Sequence, residues 1–209
     1  MIDDDTLIGL FPLRLVLLPG EIVPLHIFEE RYQRLIAECR ESESVFGIVL
    51  SDKDSVAERG CTAAVYEVVE ELEEGRSNIL VEGRRRFRLV DVIRPDDPES
   101  EYLQAIVTYL DDEDDEPDET LEEAAATLFR EMIGLMGAEV PRVPEGDAPL
   151  SFRLGAAVDF GLPLKQRLLE SQSESERLEL LTTVMRSLIP SLELRKDREE
   201  AIRGNGKGM

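Results

Sequence analysis

Residues 7–39 read LIGLFPLRLVLLPGEIVPLHIFEERYQRLIAEC, and this stretch sets the kind of fold the remainder must complete. Residues 7–18 are apolar at almost every position and stop at Pro19-Gly20, a turn pair. Pro24 adds a second constraint, so the chain should turn back sharply after its first strand. From Phe28 onward the period changes. Phe28, Tyr32, Leu35, Ile36 and Cys39 recur at spacings of three and four, which predicts a helix over about 29–41 with one apolar face. Phe28 and Tyr32, a helical turn apart, are expected to supply large apolar area to a shared core.

Short β-type runs follow at 45–51, 61–72, 77–83, 86–94 and 102–110, punctuated by Gly60, Gly75 and Asp96-Asp97-Pro98. Gly75 and Gly83 are expected at hairpin ends, where glycine relieves the backbone. Several strands with one inserted helix suggest a twisted sheet curling into a partial barrel. Residues 111–119 then carry eight acidic residues in nine, a self-repelling block expected to be a solvated linker. A metal-binding acidic loop is the alternative, but the order of residues does not match the EF-hand pattern, which needs a central Gly and a closing Glu.

Past the acidic block the pattern is helical. Thr120 to Glu123 and Ser173 to Glu176 both read as capping boxes. Leu121, Ala125, Leu128, Met132 and Leu135 form one stripe, ended by Gly137 and Pro141. Short helices are expected at about 150–160 and 163–171. A longer one should carry Leu178, Leu181, Met185, Leu188 and Leu192 on a core-facing stripe, with Pro190 bending or ending it. The expected class is therefore α+β. Residues 1–117 make a β-rich lobe with one inserted helix, 118–202 a helical bundle lobe, and 203–209 a frayed tail.

Composition narrows the function. Forty-six acidic residues against 24 basic ones give a net charge of −22. Residues 1–110 and 111–209 each carry 12 basic and 23 acidic residues, so the acidity is global. Nucleic acid and anionic membranes are disfavoured partners, because both are bound through cations. Cys39 and Cys61 form no CxxC pair, which fits a reducing compartment. The acidic N-terminus is unlike a signal peptide, and no apolar run approaches the roughly 20 residues of a bilayer span. The expected location is the cytoplasm.

A search for catalytic chemistry returns little. His26 is the sole histidine, and it sits among apolar neighbours, which suits a hydrogen-bonded structural role. Zinc-type ligand spacing, a Walker A loop, a Gly-x-Gly-x-x-Gly turn and a Gly-x-Ser-x-Gly elbow are all missing from the sequence. No catalytic, cofactor-binding or metal-binding residue is therefore nominated. Arg84, Arg86 and Arg88 fall on one face by alternation. They could meet an acidic or phosphate partner, or pair with neighbouring carboxylates, and the excess of internal carboxylates favours pairing.

In order, Phe11-Pro12-Leu13, Leu18-Pro19-Gly20 and Pro24 through Tyr32 resemble the opening signature of the Lon protease N-terminal domain. The similarity continues through Phe46 to Leu50, Gly60 to Ala63, Gly75 to Phe87 and Tyr102 to Ala105. In the helical half it is carried by Leu164 to Glu170 and Arg177 to Glu179. Glu30 stands where that family often has Pro. The resemblance implies a PUA-like pseudo-barrel followed by a helical bundle, and a non-catalytic, ATP-independent module that binds protein. Its implied partners are unfolded or tagged protein segments, with a protease or chaperone receiving them. The ATPase and Ser-Lys peptidase of Lon lie beyond this region, so neither activity is expected of a stand-alone copy. Two other classes stay open: a PUA-like nucleic-acid binder, and an enzyme with an unrecognised carboxylate or small-molecule site. Alternation around Ile79 and Val81 turns Leu80 outward, and Leu13, Val23, Pro24 and Leu80 are the expected peptide-binding residues, forming a shallow apolar groove; the competing reading is that Leu80 packs under the helical lobe or a loop.

Overall fold

The computed structural model describes residues 5–52, 55–98, 101–113, 115, 117–137 and 146–205, with 199–205 as backbone only. In chain order the elements are β1 (Thr6–Leu13), β2 (Ile22–Ile27), α1 (Glu30–Glu41), β3 (Phe46–Asp52), β4 (Ser55–Glu71), β5 (Ser77–Ile93) and β6 (Leu103–Leu110). The helices α2 (Glu119–Met136), α3 (Leu150–Ala157), α4 (Leu162–Glu170) and α5 (Glu174–Asn205) follow. The α+β class holds. Contacts group Met1–Asp111 with Asp159–Gln172 in one compact unit, and Asp112–Val158 with Ser173–Met209 in another. The division thus differs from the expected boundary at 117/118, and α4 joins the sheet instead of the other helices.

In the first unit the strand order is β2-β5-β4-β3-β1-β6, and a further β5–β6 pairing closes β5, β4, β3, β1 and β6 into a barrel. β1 and β3 run parallel, and the remaining pairs are antiparallel. Ile8, Leu10, Val49, Phe87, Ala105 and Val107 fill the barrel. On α1, Tyr32, Leu35, Ile36 and Cys39 are buried as the spacing predicts, and Tyr32 stacks on Phe11 with ring centroids 3.8 Å apart. Phe28 departs from that expectation. It precedes the N-cap Glu29, lies outside the helix and is 59% exposed.

β4 and β5 span 17 residues each, so each is longer than expected. The expected runs 77–83 and 86–94 are one strand. The ladder slips between Cys61 and Ala63, and the Thr62 hydroxyl repairs the slip: it accepts from Arg85 N at 3.0 Å and donates to Arg85 O at 3.1 Å. Backbone polarity is satisfied there, so the strand continues. Gly75 is a turn residue with φ +73°, as expected, but Gly83 is not at a hairpin end. It lies inside β5, where a Cβ would come within 2.1 Å of Leu18 O. Gly20 and Glu21 bond to it through main-chain groups at 2.8 and 2.9 Å. Only a residue without a side chain lets that turn seat against the sheet.

β1 ends at Leu13, yet Val16, Leu17 and Leu18 stay buried in the loop beyond it. The same loop holds α4. Buried Glu21 accepts from Leu18 N at 2.9 Å and pairs with the Lys165 ammonium. Buried Arg86 donates to the carbonyls of Leu169 (3.2 Å) and Ser171 at the end of α4. A cation suits a helix C-terminus, where carbonyls lack intrahelical donors. Leu164, Leu168 and Leu169 are buried between these polar ties, which accounts for α4 joining this unit.

In the second unit, Ala125, Phe129, Met132 and Ile133 of α2 are buried, along with Leu178, Leu181, Met185 and Ile189 of α5. The observed α5 stripe follows the 3.6-residue period. The expected stripe stepped by heptads, which drift around a straight helix, so Leu188 is left 39% exposed. α5 runs through Pro190 instead of ending there, and residues 203–205 of the expected tail belong to it. Residues 206–209 lie outside the described residues, as does Pro141.

The acidic block is not merely a solvated linker. Asp112 takes both terminal nitrogens of fully buried Arg177, at 3.0 and 2.6 Å, and Glu174 accepts from the same guanidinium at 3.0 and 2.7 Å. That guanidinium also lies 4.3 Å from the Phe152 ring centre. Asp115 accepts from Ser175 Oγ at 2.7 Å and from the Ser173 hydroxyl, and these bonds hold its carboxyl below the ordinary range. Asp118, not Thr120, is the N-cap of α2, accepting from Thr120 N at 2.9 Å. Ser173 caps α5 as its capping box predicts, accepting from Glu176 N at 3.1 Å.

Candidate functional site

β2 is the edge of the sheet, bonded to β5 with Ile22 opposite Glu82, Pro24 opposite Leu80 and His26 opposite Asn78. Gly83 N donates to Glu21 O at 2.9 Å, so the main chain of Glu21 faces β5. Main-chain groups on an antiparallel strand alternate in direction, which turns those of Ile22, Pro24 and His26 to the free edge. The N–H that Pro24 lacks is therefore one no ladder bond needs, and this explains how a proline sits in the strand.

Directly opposed residues share a face. Across β2, β5 and β4 the outward rows are Ile22–Glu82–Ala64, Pro24–Leu80–Glu67 and His26–Asn78–Glu70. The inward rows include Val23–Val81–Val65 and Leu25–Ile79–Val68, with Val81 and Ile79 buried. The outward face thus carries a short apolar strip. Ile22 is 46% exposed, Pro24 is exposed and Leu80 is half-buried. Phe28 prolongs the strip beyond His26, their rings stacked at 5.7 Å. Tyr66 and Val69, at two of the irregular steps of β4, are exposed as well.

Of the four residues expected to form a groove, Pro24 and Leu80 are brought together on this face. Val23 is on the opposite one, half-buried against Val81. Leu13 stands on β1 opposite Leu50 of β3, and β1 pairs with neither β2 nor β5. Proximity in sequence to the Pro19-Gly20 turn misplaced both, because that turn swings the chain from a barrel strand to the opposite edge of the strand order. Ile22, His26 and Phe28 were passed over. Residues 22–28 are apolar on both faces, so alternation is invisible in composition, and only Pro24 marks an edge strand.

Polar groups border the strip. His26 Nδ1 donates to Asn78 Oδ1 at 2.7 Å, and Asn78 Nδ2 donates to Glu70 Oε2 at 2.9 Å. Glu82 pairs with Arg84 at 2.7 Å, while Glu67 is exposed. The arginine cluster divides between roles. Arg84 pairs as expected and Arg85 reaches Asp111 at 3.0 Å, but Arg86 is buried on helix carbonyls, so Arg84, Arg86 and Arg88 do not form one exposed basic face. Burial pushes the Cys61 thiol up to about 12, so it is not poised as a nucleophile.

A separate cleft of about 680 Å³ lies in the same unit, lined by Leu50, Val56, Ala57, Leu162 and Pro163 with Arg14, Asp52 and Glu58 among its polar members. Among the described residues, no group of His, Cys, Asp or Glu is arranged to hold a metal ion, and no helix is long and apolar enough to cross a membrane.

The family model described as the ATP-dependent protease La (LON) substrate-binding domain matches residues 8–187. A Lon protease of Anaeromyxobacter dehalogenans is 26% identical over 219 residues, covering 97% of this chain and 26% of the relative. A Lon protease of Parabacteroides distasonis is 31% identical over 147 residues, covering 65% of this chain and 17% of the relative. The chain thus spans about a quarter of the length of the first of these, and less of the second. Among solved structures, the Lon N-terminal domain protein from Xanthomonas campestris superposes with a TM-score of 0.67 at 26% identity, covering 85% of this chain and 98% of that one. The N-terminal domain of a Mycobacterium avium complex Lon protease shares the fold with a TM-score of 0.61 at 19% identity, covering 86% and 98%.

Proposed function

This chain belongs to the LON substrate-binding domain family, and on that premise we propose that it holds apolar segments of unfolded or tagged proteins without itself transforming them. In this reading it works as an adaptor that brings such clients to a protease or chaperone in the cytoplasm. The observation that carries the reading is the outward strip of Ile22, Pro24 and Leu80, prolonged by Phe28, on a sheet edge. A contiguous apolar patch left in water is unfavourable unless something covers it, and a partner surface is the usual cover. Pro24 on the free edge blunts main-chain pairing, so clients are gripped by side chains rather than added as a strand. The burial of Arg86 and the acidic rim both speak against a nucleic-acid partner.

The test is Leu80→Asp, with melting temperature and affinity for a permanently unfolded client measured together. Lost binding at unchanged melting temperature supports the reading. A large fall in melting temperature means that half-buried Leu80 is part of the packing. Unchanged binding at unchanged stability sends the site elsewhere, with the cleft beside Val56 and Leu162 next in line.

A further inference from the structure

We infer that the β2–β5–β4 face selects client segments whose apolar residues are flanked by lysine or arginine, and discriminates against acidic ones. The inference rests on the reading of that face as the client contact and names the chemistry it prefers. The nine outward positions of the three rows hold Glu67, Glu70 and Glu82 and no lysine or arginine. Glu82 pairs with Arg84 at 2.7 Å, and Glu70 accepts from the uncharged amide of Asn78 at 2.9 Å. Glu67 sits in the same row as Pro24 and Leu80, exposed, so its carboxylate is held beside the apolar strip.

The hairpin beyond Glu70 extends the negative field through Glu71, Glu73 and Glu74, partly offset by Arg40 and Arg76. The whole chain adds −22. An extended segment lying across β2, β5 and β4 would place one side chain over Leu80 and the next ones over Glu67 or beyond Pro24. A cation there meets the Glu67 carboxylate, which has no ion-pair partner among the described residues, and an anion meets repulsion, with Arg84 already committed to Glu82.

The probes are three fluorescent 12-residue peptides with one shared Leu/Phe core and flanks of Lys, Ser or Glu, titrated by anisotropy into the whole chain. At about 50 mM salt, where screening is weak, the Lys peptide should bind roughly tenfold more tightly than the Ser peptide, and the Glu peptide more weakly still. The Lys-to-Glu ratio should narrow several-fold in Glu67→Gln/Glu70→Gln. Leu80→Ser, which adds no charge, should weaken all three.

Equal binding of the three peptides, all weakened by Leu80→Ser, overturns the charge preference and leaves the face as the client contact. A Lys preference undiminished in Glu67→Gln/Glu70→Gln assigns it to the overall charge and overturns the role given to this face. Peptides that bind equally well to Leu80→Ser remove the client-contact reading and this inference with it. Circular dichroism of each variant guards against loss of fold.

Discussion

Arg84 and Arg86 are two residues apart in one basic cluster, and the structure assigns them very different weights. The informative perturbation is Arg86→Met beside Arg84→Met, since Met keeps most of the apolar stem. Arg84 is about half exposed and pairs with Glu82 at 2.7 Å, so its removal should cost under about 1 kcal/mol. Arg86 is buried, and its guanidinium donates to Leu169 O at 3.2 Å and to Ser171 O. Hydrogen bonds from a charged donor are worth about 1.5–3 kcal/mol each, and truncation leaves carbonyls at the end of α4 without a donor. A loss of roughly 3 kcal/mol follows, which corresponds to about a hundredfold in a local opening constant. Amide hydrogen exchange reads this directly: protection across α4 should fall by about two orders of magnitude in Arg86→Met and by less than about fivefold in Arg84→Met. Equal protection in the two variants would show that Arg86 does not tie α4 to the sheet.

Other expectations follow from single contacts. Gly83→Ala places a Cβ 2.1 Å from Leu18 O, a backbone atom that cannot step aside, and should destabilise by about 1–3 kcal/mol in urea unfolding; a neutral result would mean the 18–21 turn shifts freely. Arg177→Met leaves buried Glu174 without its cation and should cost about 3–5 kcal/mol, with Glu174→Gln recovering part of it; additive losses from the two changes would argue against the pair. Asp115 titrates below its ordinary value of 3.8 because Ser173 and then Ser175 bond to its ionised form. A depressed folded pKa contributes stability that is present above 3.8 and is lost as pH falls further. Acid titration of amide protection at the start of α5 should therefore show a loss below that value in the parent chain and a flatter profile in Asp115→Asn; superimposable profiles would exclude the carboxylate as the cause.

Much of the architecture was legible in local pattern. The apolar run ending at Pro19-Gly20, the three-and-four spacing through Tyr32, Leu35, Ile36 and Cys39, and the change of period after the acidic block each report a one-dimensional constraint. Turn chemistry and burial of one helix face act over a few residues, so sequence carries them directly. The alternation of Ile79 and Val81 against Asn78, Leu80 and Glu82 belongs to the same class, and it turned Leu80 outward as the register does. What tertiary structure alone decided are pairings between distant segments. Leu13 and Val23 flank one turn yet diverge, because the free energy of a sheet depends on which strands meet rather than on which are adjacent in sequence. Phe28 satisfies a helical spacing and still lies in water, since the N-cap falls at Glu29 and the ring stacks on His26. Arg86 and Arg177 are buried, which no local pattern foretold, because their partners come from Leu169 and Ser171 in one case and from Asp112 and Glu174 in the other. A cation can enter the interior only where the fold delivers acceptors to it, and that delivery is a property of the assembled chain rather than of any local stretch.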